Sequence, residues 1–213
     1  MTETAKTNLI PRSLFVFAVL YGGMTCIAGI LGAKQVAIGP LAVESGIFPF
    51  LLLVVLSSSV AELHGRDVAN RLVRFGFIPL ITAIALIQIV LALPTDPGMY
   101  EPAKEAFPII LSQGARLMFA GIIAYGVSQF LNVYIFSRLA NMKGALLALR
   151  AAITSALSQI VDTVIFISIA FYGERPIGQL LLGQGSAKVV LSFLLVPFLI
   201  VFFVKLGRRL DRE

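Results

Sequence analysis

Six long apolar stretches, joined by loops too short to fold by themselves, constrain this chain more than anything else in it. They run Leu14–Leu31, Ile47–Ala61, Phe75–Leu93, Ser112–Phe136, Ala151–Tyr172 and Val189–Leu206. A helix that crosses a bilayer needs about 20 mainly apolar residues. The second stretch is short unless Gly46 and Glu62 are counted, which predicts a broken or tilted helix there. None of the six shows the alternation of a lumen-lined barrel strand, and a spanning segment must satisfy its own backbone, so helices are expected. The expected fold class is all-α: a polytopic membrane protein with six transmembrane helices, residues 1–213 forming a single domain. Composition agrees, with 58% hydrophobic and 13% charged residues. A soluble domain is about a quarter charged, and a chain this poor in charge could not cover its own surface. The first apolar run is too long for a signal-peptide core and has no small-residue cleavage site behind it, so it reads as the first span.

Six spans put both termini on one side, and basic residues should mark the cytoplasm. On the side of the termini fall Lys6 and Arg12; Arg66, Arg71 and Arg74; Arg138, Lys143 and Arg150; and Lys205, Arg208, Arg209 and Arg212. The other side holds Lys34, Lys104, Arg116, Arg175 and Lys188, together with the acids Glu44, Asp96, Glu101, Glu105 and Glu174. The bias predicts cytoplasmic termini. It also accounts for the basic pI of about 9.8 through topogenic, lipid-facing charge, with no nucleic acid implied as a partner. The lipid bilayer is the partner the composition demands.

The loops are short. Pro94–Leu111, rich in proline, reads as an ordered turn or short surface helix. Gly32–Ser45, with Gly39 and Pro40, reads as a hairpin or re-entrant cap. One cysteine, Cys26, and one histidine, His64, permit neither an internal disulfide nor a Cys/His zinc site. No metal and no cofactor is expected. Cys26 lies in an apolar run, where a buried inert thiol is the default.

Against this background the polar residues inside the spans stand out. An Asp at a helix centre costs about 2.5–3.5 kcal/mol on insertion scales, yet Asp162 sits in the middle of the fifth span. At helical spacing Ser155, Ser158, Gln159, Asp162 and Phe166 share one face, which must look at other helices or at a cavity. The fourth span repeats the arrangement. Ser128-Gln129-x-x-Asn132-x-x-Ile135-Phe136 aligns with Ser158-Gln159-x-x-Asp162-x-x-Ile165-Phe166. The serine, glutamine, isoleucine and phenylalanine are identical, and the fifth position is Asn against Asp. The two spans run in opposite directions. Asn132 lies roughly 9 Å from Arg138, and Asp162 roughly 18 Å from Arg150, along the helix rise. That is the placement an inverted-repeat pair gives around a midplane binding site. The plainer reading is interhelical hydrogen bonding, about 0.6 kcal/mol per contact. It suits Ser128 and Ser158 well, the glutamines less well because an amide needs up to four partners, and Asp162 least.

These same residues carry a family resemblance. Ser158-Gln159-x-x-Asp162-Thr163-x-Ile165-Phe166, its counterpart from Ser128, and Glu62-x-x-Gly65-x-x-x-Ala69-x-Arg71 after the second span resemble the signature of the VUT, or YhhQ-like, family of queuosine-precursor transporters. The resemblance runs from about Phe48 to the end of the sixth span. It implies a multi-pass protein of a bacterial inner (plasma) membrane that takes up 7-cyano-7-deazaguanine or a related 7-deazapurine, a small-molecule substrate bound near the bilayer midplane between spans four and five. It implies that Asp162 takes the guanine-like N1–H and amino group as a bidentate pair. Gln159, Gln129 and Asn132 would serve the remaining polar atoms, with Ser158 and Ser128 beside them. Phe166, Phe136, Tyr125 or Phe130 would supply a stacking wall. Two positions depart from the family: it commonly has Asp where this chain has Asn132, and an acid near Ser58. If those acids carry a coupling proton, this chain has lost them. Arg116, and Glu62 with Arg66 and Arg71, stand where gates would, although snorkelling at the interface is the plainer role. A homodimer is left open as the assembly.

Two other function classes compete. A vitamin-like substrate-binding subunit would need a separate energising ATPase module, since no Walker motif is present. An intramembrane serine protease would need a Ser with a His base, and no Ser–His pair at a shared depth is evident. A lipid phosphotransferase would need clustered Asp residues, and only Asp162 lies inside a span. The sequence reads as a transporter, not an enzyme.

Overall fold

The structure, a computed structural model, describes residues 10–38, 41–112, 114–141, 146–173 and 177–212. Among these, six helices are long and apolar enough to cross a membrane. They are α1 (Arg12–Gly32), α2 (Ile47–His64), α3 (Arg66–Ala92), α5 (Ala115–Arg138), α6 (Leu146–Phe171) and α7 (Ile177–Leu210). Between α1 and α2 lies a hairpin of β1 (Gln35–Ile38) and β2 (Leu41–Glu44), paired antiparallel with Gln35 opposite Glu44. The short α4 (Glu101–Leu111) fills the loop between α3 and α5. Both expected loop structures are therefore present. Gly39 and Pro40, and the loop charges Lys6, Lys143, Glu174 and Arg175, lie outside the described residues. The bundle has a terminal end, where α1 begins and α7 finishes, and a hairpin end opposite.

The second span is neither broken nor strongly shortened. Its 18 residues rise about 27 Å, close to the ~30 Å of a hydrocarbon core. Pro49 sits in the first turn of α2, where a missing N–H removes no helix bond. This helix is buried along most of its length, with Leu53 through Val60 all enclosed. That is the behaviour of a helix apolar on every side. At its end Gly65 takes φ +87°, a left-handed conformation that glycine adopts without strain, and the chain reverses into α3. The outer helices show the opposite pattern. Phe75, Ile78, Ile81, Leu86 and Ile89 of α3, and Leu157, Ile160 and Val164 of α6, are exposed, as residues facing acyl chains must be.

Three helices begin earlier than their apolar runs suggested, and the consequences differ. On α3 the added turns carry Arg66, Arg71 and Arg74, all exposed. On α6 and α7 they draw Arg150 and Lys188 into the protein, 2% and 9% exposed respectively. Both had been assigned to loops. Hydropathy counts a charged residue as the edge of a span. The helix continues through it whenever a partner inside the bundle offsets the cost of burying the charge.

Candidate functional site

A cavity of about 280 Å³ opens toward the hairpin end. Its walls come from α1 (Thr25, Cys26, Gly29), α2 (Ile47, Phe50, Leu53), α3 (Leu80, Ile84, Gln88) and α5 (Met118, Gly121, Tyr125). At the bottom, α6 supplies Asp162 and Phe166, and α7 supplies Lys188. The lining is mostly apolar with a few polar groups, among them Glu44, Gln88, Asp162 and Lys188, the usual make-up of a small-molecule site.

Asp162 and Lys188 form an ion pair, with the ammonium donating to Oδ2 at 3.0 Å. Both side chains are almost enclosed, at 8% and 11% exposure. Ser128 Oγ donates to the other carboxylate oxygen, Oδ1, at 3.3 Å. The cost of an acid in a span is thus met by a cation from the next helix. A sequence signal for Lys188 did exist: Gln184, Lys188 and Ser192 follow at i, i+4 and i+8 on one face. All three reach inward, Gln184 donating to Glu44 Oε1 at 3.1 Å and Ser155 Oγ donating to Ser192 Oγ at 3.1 Å. Glu44, at the foot of the hairpin, also lines the cavity.

Of the seven expected substrate contacts, Asp162 and Phe166 line the cavity. Gln159, Asn132, Gln129, Ser158 and Ser128 are fully buried and lie outside its wall. The physical reason is that the polar face of α5 turns toward the serines of α2. Asn132 Nδ2 donates to Ser57 Oγ at 3.1 Å and to Ser58 Oγ at 3.0 Å. Gln129 Oε1 accepts from Tyr21 and Ser57, both at 3.4 Å. Tyr125 in turn donates to Tyr21 OH at 3.0 Å. Gly76 of α3 makes this tyrosine pair possible, since a Cβ there would sit 2.2 Å from Tyr125 OH. Ser158 bonds back to its own helix at Ser155 O. The Nε2 and Oε1 of Gln159, Nε2 of Gln129 and Oδ1 of Asn132 are buried without a hydrogen-bond partner among the described residues. The two positions that depart from the family pattern, Ser58 and Asn132, are in direct contact. Among the aromatic candidates, Tyr125 and Phe166 line the cavity, whereas Phe130 packs into the core around Phe17 and Tyr21.

Phe136 serves a second ion pair. Near the terminal end, Arg150 of α6 donates to Glu62 of α2 and to Leu139 O. Its guanidinium lies 3.7 Å from the centroid of the Phe136 ring, a close cation–π stack. Of the three charges flagged near the end of the second span, only Glu62 is engaged inside the bundle. Arg66 is exposed and sits over the Tyr134 ring at 5.1 Å. Arg116, flagged at the other end, donates to Ile169 O and Tyr172 O at 2.5 and 2.7 Å. It caps the last carbonyls of α6, where a cation also complements the helix dipole.

Two further sequence expectations are corrected. A Ser–His pair does exist: Ser13 Oγ lies 2.7 Å from His64 Nε2 and donates to Asp211 Oδ2 at 2.7 Å, while Ser13 N donates to Asp211 Oδ1 at 2.9 Å. The partners come from α1, α2 and the end of α7, which the sequence does not juxtapose. Asp211 binds the serine and not the far nitrogen of the imidazole, so the arrangement lacks the orienting role of a catalytic triad and works as a three-helix staple. Cys26, expected to be buried and inert, is half-buried on the cavity wall, its thiol 3.6 Å from Pro79 O.

The comparisons with known proteins bear on what such a cavity serves. Residues 44–202 match the family described as "Putative vitamin uptake transporter". The chain belongs to this family. It is a multi-pass membrane protein of transporter type, and the match runs from the last residue of β2 to Phe202 within α7, so the cavity floor and both ion pairs fall within it. Among curated relatives, the "Probable queuosine precursor transporter" of Bacillus subtilis (strain 168) is 28% identical over 190 residues, 88% of this chain and 78% of the relative. No solved structure matches the chain.

Proposed function

We propose that this chain imports a queuosine precursor, a 7-deazaguanine such as 7-cyano-7-deazaguanine, across a bacterial inner membrane, with both termini in the cytoplasm. The observation that carries the reading is the placement of Asp162: a mid-span carboxylate, paired with Lys188, at the bottom of a largely apolar cavity that opens to one face. A planar heterocycle suits such a space, with apolar walls and Tyr125 and Phe166 to cover its faces. Its N–H groups meet a carboxylate, which accepts them as a charge-assisted pair. The likeness to the Bacillus relative supports the substrate class.

The test is accumulation of labelled precursor in cells lacking their own transporter, alongside the queuosine content of their tRNA. Expression of this chain should restore both. Proteoliposomes holding this chain alone should also take up the precursor. Uptake that appears only with an added ATPase partner would replace the reading with that of a substrate-binding subunit.

A further inference from the structure

We propose that Lys188 and Asp162 act together as the reader of a guanine-type edge, with Lys188 the residue that selects for the 6-oxo group. The inference rests on the deazapurine reading above and adds a residue and a selection rule to it. The Lys188 ammonium has three donor protons, and Asp162 Oδ2 is its one hydrogen-bond acceptor among the described residues. Asp162 Oδ1 accepts from Ser128 and keeps a second lone pair. Both residues line the cavity. Toward that space the pair offers a donor, an acceptor and an acceptor: the ammonium, then Oδ2, then Oδ1. The Lys188 Nζ–Oδ2 separation of 3.0 Å sets the ammonium beside Oδ2, and Oδ1 is the other oxygen of the same carboxylate.

That order has the polarity of the cytosine edge, an amino donor followed by two acceptors. Its complement is acceptor, donor, donor, which is what the O6, N1–H and 2-amino groups of a guanine-type base present. Each ligand atom then meets a charged partner, and charge-assisted bonds are roughly twice as strong as neutral ones. An adenine-type edge is mismatched at both places, setting its 6-amino group against the ammonium and its N1 lone pair against the carboxylate. A buried site built to pair a polar group rejects the analogue lacking it, because its own group is left unpaired. The ion pair also settles why a cation stands beside the acid. Without Lys188 the carboxylate would still take the N1–H and 2-amino pair, and no group would read the acceptor at position 6.

The test is equilibrium binding to the purified full-length protein of four 7-deazapurines: the 2-amino-6-oxo form, the 6-oxo form without the amino group, the 2-amino-6-thioxo form, which keeps N1–H and the amino group but offers a weaker acceptor at position 6, and the 6-amino form. Wild-type protein should favour the 2-amino-6-oxo ligand over the 2-amino-6-thioxo ligand by roughly tenfold. It should bind the 6-amino form weakest. Lys188→Met, which keeps the length of the side chain without its charge, should reduce that oxo preference to within about twofold. Because Lys188→Met strands a carboxylate, Lys188→Met with Asp162→Asn is measured beside it, with thermal unfolding of each. The neutral double variant should fold normally and also lack the oxo preference. A wild-type protein that binds deazapurines without regard to position 6, or a well-folded Lys188→Met or double variant that retains the preference, would overturn the selection rule while leaving the transport reading intact. A wild-type protein that binds none of the four overturns both.

Discussion

Among the described residues, two pairs of a carboxylate with a lysine or an arginine join helices of this bundle, and they are built for different ends. Asp162–Lys188 joins α6 to α7 beside a cavity, with ammonium protons and a carboxylate lone pair left over. Arg150–Glu62 joins α6 to α2 near the terminal end, with the guanidinium stacked on Phe136 and bonded to Leu139 O. The first lines open space and retains bonding capacity. The second lies off the cavity wall, with Arg150 enclosed and Glu62 partly exposed. Between them lie the buried amides of Gln129, Asn132 and Gln159, with several atoms unpartnered among the described residues. Unpaired buried polar atoms are costly, and natural interiors seldom keep them without a use for them. The contrast teaches that one helix, α6, holds an accessible charge toward one face of the membrane and a sealing charge toward the other.

The contrast can be broken at either pair. Asp162→Asn should leave the amount of protein in the membrane unchanged and lower precursor uptake by roughly a hundredfold, the effect of truncating one member of an enclosed charge pair. Normal uptake by well-expressed Asp162→Ala would remove the cavity floor from the account. Arg150→Met should do the reverse. It should cost about 2 kcal/mol of stability, less than the ~3–5 kcal/mol of a fully enclosed pair, because Glu62 remains 17% exposed. It should appear as a lower unfolding temperature, with uptake per folded molecule reduced far less than by Asp162→Asn. If Arg150→Met silences transport in a stable protein, the two pairs are not functionally distinct.

Smaller effects sharpen the picture. Ser58→Asp with Asn132→Asp places two acids in contact, where one proton will be shared because like charges so close resist joint ionisation. Uptake should then change several-fold between pH 5 and 8 relative to wild type, and an unaltered profile would exclude these positions from coupling. The smallest expected effect is a few-fold slowing of Cys26 modification by a thiosulfonate reagent when precursor is present. No engineering is needed, since this is the sole cysteine. Labelling indifferent to the ligand would place the bound molecule elsewhere.

The fold was largely legible because bilayer solvation imposes a length and a composition that six stretches meet. The polar face of α6 was legible too, since Asp162 in a span demands a reason. Lys188 was missed because charge was read as a boundary, although Gln184, Lys188 and Ser192 carried the periodicity that places it inside. The destination of the α5 face was not legible at all. Helical spacing shows that Gln129 and Asn132 share a face, but only packing shows that the face meets Ser57 and Ser58 of α2 and not the cavity. The staple of Ser13, His64 and Asp211 was invisible for the same reason, since its members stand up to 198 residues apart.

That staple bears on the order in which the protein is made. The first helix leaves its early amide groups without partners, and the carboxylate that receives one of them, at Ser13, belongs to Asp211, the residue that follows α7. The opening turn of α1 is thus completed only once α7 has been made. A version ending before Asp211 would insert all six spans and still leave the first of them loose at its start.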